Sequence, residues 1–191
     1  MMATEGLNEE EGKALLVIAR KTIDRALFRR KGEAILPQIH SPKYSEQRGT
    51  FVTLTINGRL RGCIGHITPR ESLLEGIQIN ALNAAFRDPR FSPLTKEEWK
   101  KVKIEISILT EPKILSYEGP EDLLEKLHSG VDGVIIQKGA YQSTFLPQVW
   151  EQLQDKKQFL THLCMKAGLD GNAWEKGDLV VSTYQVQAFE E

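Results

Sequence analysis

The chain has 191 residues, 40% of them hydrophobic, and a formal net charge of −1. That length suits one full-sized domain, or a domain with a small appendage, and the apolar content is enough for a real core. Near-neutral charge excludes an overall electrostatic pull toward nucleic acid or a membrane surface. The longest apolar runs, such as "ALLVIA" at 14–19, are far too short to span a bilayer.

The opening "MMATEGLNEEEGK" is acidic and polar, the opposite of a secretory leader. Two cysteines, Cys63 and Cys164, lie far apart without a CxxC partner, so neither a zinc knuckle nor a disulfide framework is indicated. A reduced, cytoplasmic setting is expected.

Residues 8–31 carry a helical pattern. Asn8 caps it, with Glu11 as capping-box partner, and Leu15, Ile18, Ala19, Thr22, Ile23, Ala26 and Leu27 recur at helical spacing up to Gly32. "EAILPQIHSPKYSEQRG" has two prolines and no period, which predicts a surface loop. The period then changes to two: Val52, Leu54 and Ile56 alternate with Phe51, Thr53 and Thr55. Asn57-Gly58 supplies a strong hairpin signal, and the return strand runs from Arg59 to about Ile64.

Ser72 and Glu75 form a second capping box, opening a helix with Leu73, Ile77, Ala81, Ala84 and Ala85 as its narrow apolar stripe. Pro89 and Pro93 forbid regular structure in "RDPRFSPLT". "TKEEWKK" reads as one helical turn, and "VKIEISILT" as a strand with Val102, Ile104, Ile106 and Ile108 on one face. A short helix over "GPEDLLEKLHSG", a hairpin around Lys138-Gly139, helices over "PQVWEQL" and "KKQFLTHLCMKAGL", and a final strand "LVVSTYQVQAF" complete the chain. Hairpins outnumber strand–helix–strand alternation. The expected fold is therefore α+β, a mainly antiparallel sheet flanked by helices, with a second, smaller subdomain.

The stretch "LRGCIG" at 60–65 concentrates the candidate chemistry. Regular strand parity points Leu60, Gly62 and Ile64 inward and Arg59, Arg61 and Cys63 to the other face. Gly62 and Gly65 then either clear space beside Cys63 or let a helix cross the sheet. Neighbouring cations would favour a reactive thiolate at Cys63, the candidate catalytic residue. The alternative is a small buried hydrophobe. His66 follows three residues after Cys63 as a candidate partner, although no third orienting group is evident.

Arg87, Asp88 and Arg90 surround Pro89, so a rigid turn offers two guanidiniums to a carboxylate or phosphate. The same residues also suit a loop locked by an Asp88–arginine pair and stapled by Phe86 and Phe91. Pro147 opens a helix whose free N–H groups suit an anion, with Gln148 beside them as a candidate contact; the alternative is a plain cap, with Gln148 and Trp150 as packing or surface groups. His162 and Cys164 are two apart, on different helix faces, so Cys164 belongs with the core and no metal set is expected. No Walker loop, GxGxxG, HExxH or GxSxG occurs, and no cofactor is indicated.

Four blocks, "GTFVTLTINGRLRGCIG", "NALNAAFRDPRFSPLTKEEW", "GVDGVIIQKGAYQSTFLPQVW" and "FLTHLCMKAGL", together resemble the AMMECR1 family, with "LRGCIG" as its hallmark. The resemblance runs from about residue 10 to the C-terminus, so residues 10–190 read as a single AMMECR1-like domain in two subdomains. It implies an α+β protein with a cleft near the hallmark, and genes for a Memo-like protein and a radical-SAM protein nearby, the three forming the AmmeMemoRadiSam set with this family as its A component. By resemblance, Arg61, Gly62, Cys63 and Gly65, then Arg87, Asp88, Pro89, Arg90 and Phe91, then Leu146, Pro147 and Gln148, are the motif positions. The expected function is an enzyme on a small anionic or nucleotide-like substrate, with Cys63 as nucleophile or contact and Arg61 and Arg90 as anion holders. The alternative is an adaptor for the Memo-like and radical-SAM partners. Nucleic-acid binding ranks last, since no aromatic stacking platform is present.

Overall fold

Asn8 begins the first helix, α1 (Glu9–Leu27). Its side chain accepts the Glu11 N–H, and the Glu11 carboxylate accepts the Asn8 N–H, both at 2.8 Å. The computed structural model describes residues 6–30, 32, 35–37 and 40–191. The helix ends at Leu27, short of Gly32; Phe28 is its C-cap and Arg29 takes a positive φ of 52°. Lys31, the last residue expected in this helix, lies outside the described residues, as do Glu33, Ala34, Gln38 and Ile39 of the expected loop. Later in that loop Pro42–Ser45 form a 3-10 turn, and the buried Tyr44 donates its hydroxyl to the Glu11 carbonyl at 2.9 Å.

The remaining elements are β1 (Thr50–Ile56), β2 (Arg59–His66), α2 (Leu73–Phe86), α3 (Lys96–Trp99) and β3 (Val102–Leu109), followed by β4 (Lys113–Ile114), α4 (Pro120–Lys126), β5 (Gly133–Lys138), β6 (Tyr141–Phe145), α5 (Lys156–Lys166), β7 (Val180–Tyr184) and β8 (Val186–Glu190). They form two units, one from residues up to Leu109 together with Gln187–Glu191, the other from Thr110–Val186.

The first unit holds a four-stranded sheet in the order β2-β1-β3-β8, with β1 antiparallel to both neighbours. Asn57 (φ 52°) and Gly58 (φ 74°) make the β1–β2 turn with positive φ at both central residues, as a hairpin twist requires. Val52, Leu54, Ile104 and Ile106 are buried, and the α2 stripe Leu73, Ile77, Ala81, Ala84 and Ala85 is buried in the same cluster with Leu15, Ala19 and Ile23 of α1. Each fully buried leucine or isoleucine here contributes roughly 1.5–3 kcal/mol. Gly12 lets α1 approach closely: a Cβ there would lie 2.1 Å from the Phe189 ring.

The second unit holds the sheet β4-β7-β5-β6, antiparallel throughout. Its separate core includes Leu123, Val134, Ile136, Leu160, Leu163 and Cys164, with the Trp150 and Phe159 rings stacked at 3.6 Å. Cys164 is therefore a core residue, and burial pushes its thiol pKa up. "PQVWE" forms a 3-10 turn in place of the expected helix, because its Pro147 start leads into only one tight turn before α5.

The expected single C-terminal strand is two. β7 lies in the second unit's sheet and β8 beside β3 in the first. Tyr184 is anchored in the one, its hydroxyl 3.0 Å from Thr144 Oγ1 and 3.1 Å from the Phe145 carbonyl. Gln187 is anchored in the other, its amide paired with both the N–H and the carbonyl of Leu7. The chain changes sheets at Gln185, which neither strand includes.

Candidate functional site

The β1–β2 ladder is irregular at the hallmark stretch. Leu54 pairs with Gly62, yet Thr55 pairs with Leu60, so Arg61 is an extra residue in a bulge. A one-residue slip moves side chains to the opposite face. Gly62 and Ile64 keep the face of the buried Leu54 and Val52, and Cys63 pairs with Thr53. Leu60 moves to the face of Thr55 and is 45% exposed. The expectation that Leu60 anchors inward therefore fails, because unbroken parity does not hold across a bulge.

The bulge frees Arg61 to reach sideways. Its Nε donates to Glu98 Oε1 at 2.8 Å, and its Nη2 donates to Glu98 Oε2 at 3.0 Å and to the Ser92 carbonyl at 2.8 Å. Glu98 also caps α3, accepting from the Thr95 N–H and hydroxyl. The Arg61 hydrogen bond, first among several causes, draws the Glu98 carboxyl pKa down to about 2. Glu98 is the partner that the sequence reading missed. The pattern Thr95-x-x-Glu98 is a capping-box signal that marks Glu98 as a helix-start carboxylate, but nothing local points to its second use.

Asp88 is buried and receives four hydrogen bonds. The Cys63 N–H donates to Oδ2 at 2.8 Å and the Arg90 N–H to Oδ1 at 3.1 Å. The Arg90 guanidinium adds a two-pronged pair, Nε to Oδ1 at 3.0 Å and Nη2 to Oδ2 at 2.8 Å. That guanidinium also donates to the Cys63 carbonyl at 3.1 Å. The pair thus hydrogen-bonds both backbone groups of Cys63 on β2, the edge strand of its sheet. An unpaired edge invites a foreign strand, and here two side chains occupy the place a strand would take. Arg90 holds the Asp88 carboxyl well below the usual carboxylate range.

The structure therefore brings Arg61, Cys63, Asp88 and Arg90 together, with Phe91 beneath both guanidiniums at 5.6 Å from each. Each arginine is already matched to a carboxylate of this chain. The Cys63 side chain accepts a hydrogen bond from the Thr53 hydroxyl, Oγ1 to Sγ 3.2 Å, and the residue is half-buried. His66 faces elsewhere, its Nε2 lying 2.7 Å from Glu71 Oε1.

The glycines have packing reasons. A Cβ on Gly62 would sit 2.2 Å from the Ala84 carbonyl of α2. One on Gly65 would sit 2.2 Å from the Thr50 carbonyl and 2.4 Å from the Phe51 ring. Arg87 caps the end of α2 through its backbone, and its exposed side chain has no partner among the described residues. Gln148 lies in the second unit, exposed on the 3-10 turn Pro147–Glu151. Among the described residues no group of three or more His, Cys, Asp or Glu is placed to hold a metal ion, and no helix is long and apolar enough to cross a membrane.

The family model AMMECR1 matches residues 16–189. A protein of Methanosarcina mazei is 43% identical over 190 residues, covering 97% of this chain and 94% of its own length. One from Methanocaldococcus jannaschii is 38% identical over 188 residues, covering 97% and 92%. Among solved structures, an uncharacterized protein from Pyrococcus horikoshii is similar with a TM-score of 0.86 at 36% identity, over 97% of this chain and 93% of that one.

Proposed function

The chain belongs to the AMMECR1 family, and from that premise we propose that it is a cytoplasmic binding module that presents its hallmark hairpin and the 87–91 loop to a protein partner. One observation supports this reading over catalysis: the guanidiniums that would hold an anionic substrate are neutralised within the chain, Arg61 by Glu98 and Arg90 by Asp88. An anion would have to displace a two-pronged carboxylate from each, at the cost of two charge-assisted hydrogen bonds per site. The bulge, the plugged edge and the closely packed Gly62 instead make a rigid, preformed surface, which lowers the entropy cost of binding. The partners to try first are the Memo-like and radical-SAM proteins that the family resemblance implies.

The enzyme reading retains one supporting observation, the half-buried Cys63 thiol beside the Thr53 hydroxyl. In that reading Cys63 attacks or contacts a small anionic or nucleotide-like substrate. The two separate in one experiment. The purified protein is titrated into purified Memo-like and radical-SAM proteins by calorimetry, as wild type, Arg87→Glu and Cys63→Ala. A complex that Arg87→Glu weakens and Cys63→Ala leaves intact supports the binding module. No complex with either protein, together with a small-molecule thermal shift seen in wild type and lost in Cys63→Ala, would overturn it in favour of the enzyme.

A further inference from the structure

At the tip of the β1–β2 hairpin a surface hollow of about 560 Å³ is lined by Ile56, Asn57, Arg59, Leu60 and Arg61. The bulge creates it, since in an unbroken ladder Leu60 would share the core-facing side of Leu54. Leu60 is instead 45% exposed at the hollow, while Ile56, the other apolar residue that lines it, packs against the core of the unit. The turn beneath, Asn57-Gly58, is held at positive φ by its sequence, so the hollow is preformed.

The two charged residues that line it, Arg59 and Arg61, are both cations. Arg59 is exposed and has no side-chain partner among the described residues. Lys103, exposed and likewise unpartnered, sits directly across from Thr55, the residue that pairs with Leu60. Arg61 closes the hollow with its charge already matched by Glu98. None of the five lining residues is acidic. An apolar wall flanked by unspent positive charge fits a ligand that is apolar at one point and negative around it.

We infer that this hollow receives an acidic segment of a partner protein, with one aliphatic side chain seated against Leu60 and flanking carboxylates facing Arg59 and Lys103. This names the partner chemistry for the binding-module reading and rests on it. Nucleic acid fits less well, because the lining offers no aromatic ring on which a base stacks.

The test uses a short fluorescein-labelled peptide of aspartates and glutamates around one central leucine, with fluorescence anisotropy as readout. Comparison probes are the same peptide with serine at the centre and a labelled oligothymidylate. Arg59→Glu and Leu60→Asp alter exposed side chains, so both variants keep the wild-type melting temperature. Each weakens the leucine peptide by about tenfold, as does the central serine. Binding falls with added salt, and the remote Lys157→Glu changes nothing. No binding of the leucine peptide, equal binding by Arg59→Glu, or preference for the oligothymidylate would overturn the inference. Failure of the two readings is distinguishable. A complex with the Memo-like or radical-SAM protein that survives both variants refutes this site and leaves the binding module standing. Peptide binding at the tip with no complex from either protein refutes those partners and leaves the site.

Discussion

Replacing Asp88 with alanine removes the group on which the hallmark loop converges, and its cost can be worked from the geometry. The lost bonds are of two kinds. Arg90 has a side chain 53% exposed, so its half of the ion pair is largely resolvated after the mutation and counts on the surface scale of about 0–1 kcal/mol. The Cys63 and Arg90 backbone N–H groups donate to a carboxylate that is itself 1% exposed. Hydrogen bonds to charged groups net about 1.5–3 kcal/mol each and are not additive. Because they are not additive, the total for Asp88→Ala falls below their simple sum, at about 2–4 kcal/mol. Asp88→Asn keeps one acceptor oxygen and costs about half as much.

Arg90→Ala should cost about 1–3 kcal/mol, because its own half-solvated guanidinium contributes little but the buried Asp88 carboxylate loses its two-pronged partner. Urea unfolding at neutral pH reads all three variants through the shift in midpoint at constant slope. Hydrogen exchange at the Cys63 amide gives a local readout: protected in wild type, it exchanges faster in Asp88→Ala than its strand neighbours do. An Asp88→Ala cost below about 1 kcal/mol, with Cys63 protection unchanged, would refute the edge plug.

Three further outcomes are expected. Because Asp88 and Glu98 are held below their ordinary pKa in the folded state, each contributes stability that is complete above its unfolded value and lost as pH falls. For Glu98 the window lies between its ordinary 4.5 and about 2. A wild-type stability profile against pH should therefore drop more steeply in acid than that of Asp88→Asn/Glu98→Gln, and parallel profiles would contradict this. Gly62→Ala places a Cβ 2.2 Å from the Ala84 carbonyl, a backbone atom that cannot swing away. It should cost about 1–3 kcal/mol in thermal or urea unfolding, and a neutral result would show that α2 yields at that point. In the folded protein iodoacetamide should modify Cys63 while sparing Cys164, which is 0% exposed. Peptide mass mapping before and after denaturation checks the order.

Much of the local structure was legible because its causes sit within a few residues of each other. Asn8 with Glu11 and Ser72 with Glu75 form the capping boxes as read. Asn57-Gly58 turns the hairpin, and the period-two run Val102, Ile104, Ile106 and Ile108 is the buried face of a strand. Chemistry at a distance was not legible. Arg87, Asp88 and Arg90 stood equally well as an anion site or a locked loop, and the structure pairs Asp88 with Arg90. The sequence alone suits Arg61 to an anion holder, but its partner Glu98 is 37 positions away, beyond the reach of any local pattern.

Composition, periodicity and motif thus determined an α+β chain of the AMMECR1 family and located the residues that converge. Tertiary structure alone decided what those residues do to one another. A single extra residue in β2 turned Leu60 outward and Arg61 toward Glu98. The physical reason is that strand parity is a local rule, whereas a bulge and the ion pairs around it are fixed by which distant backbone and side chains have groups left to satisfy.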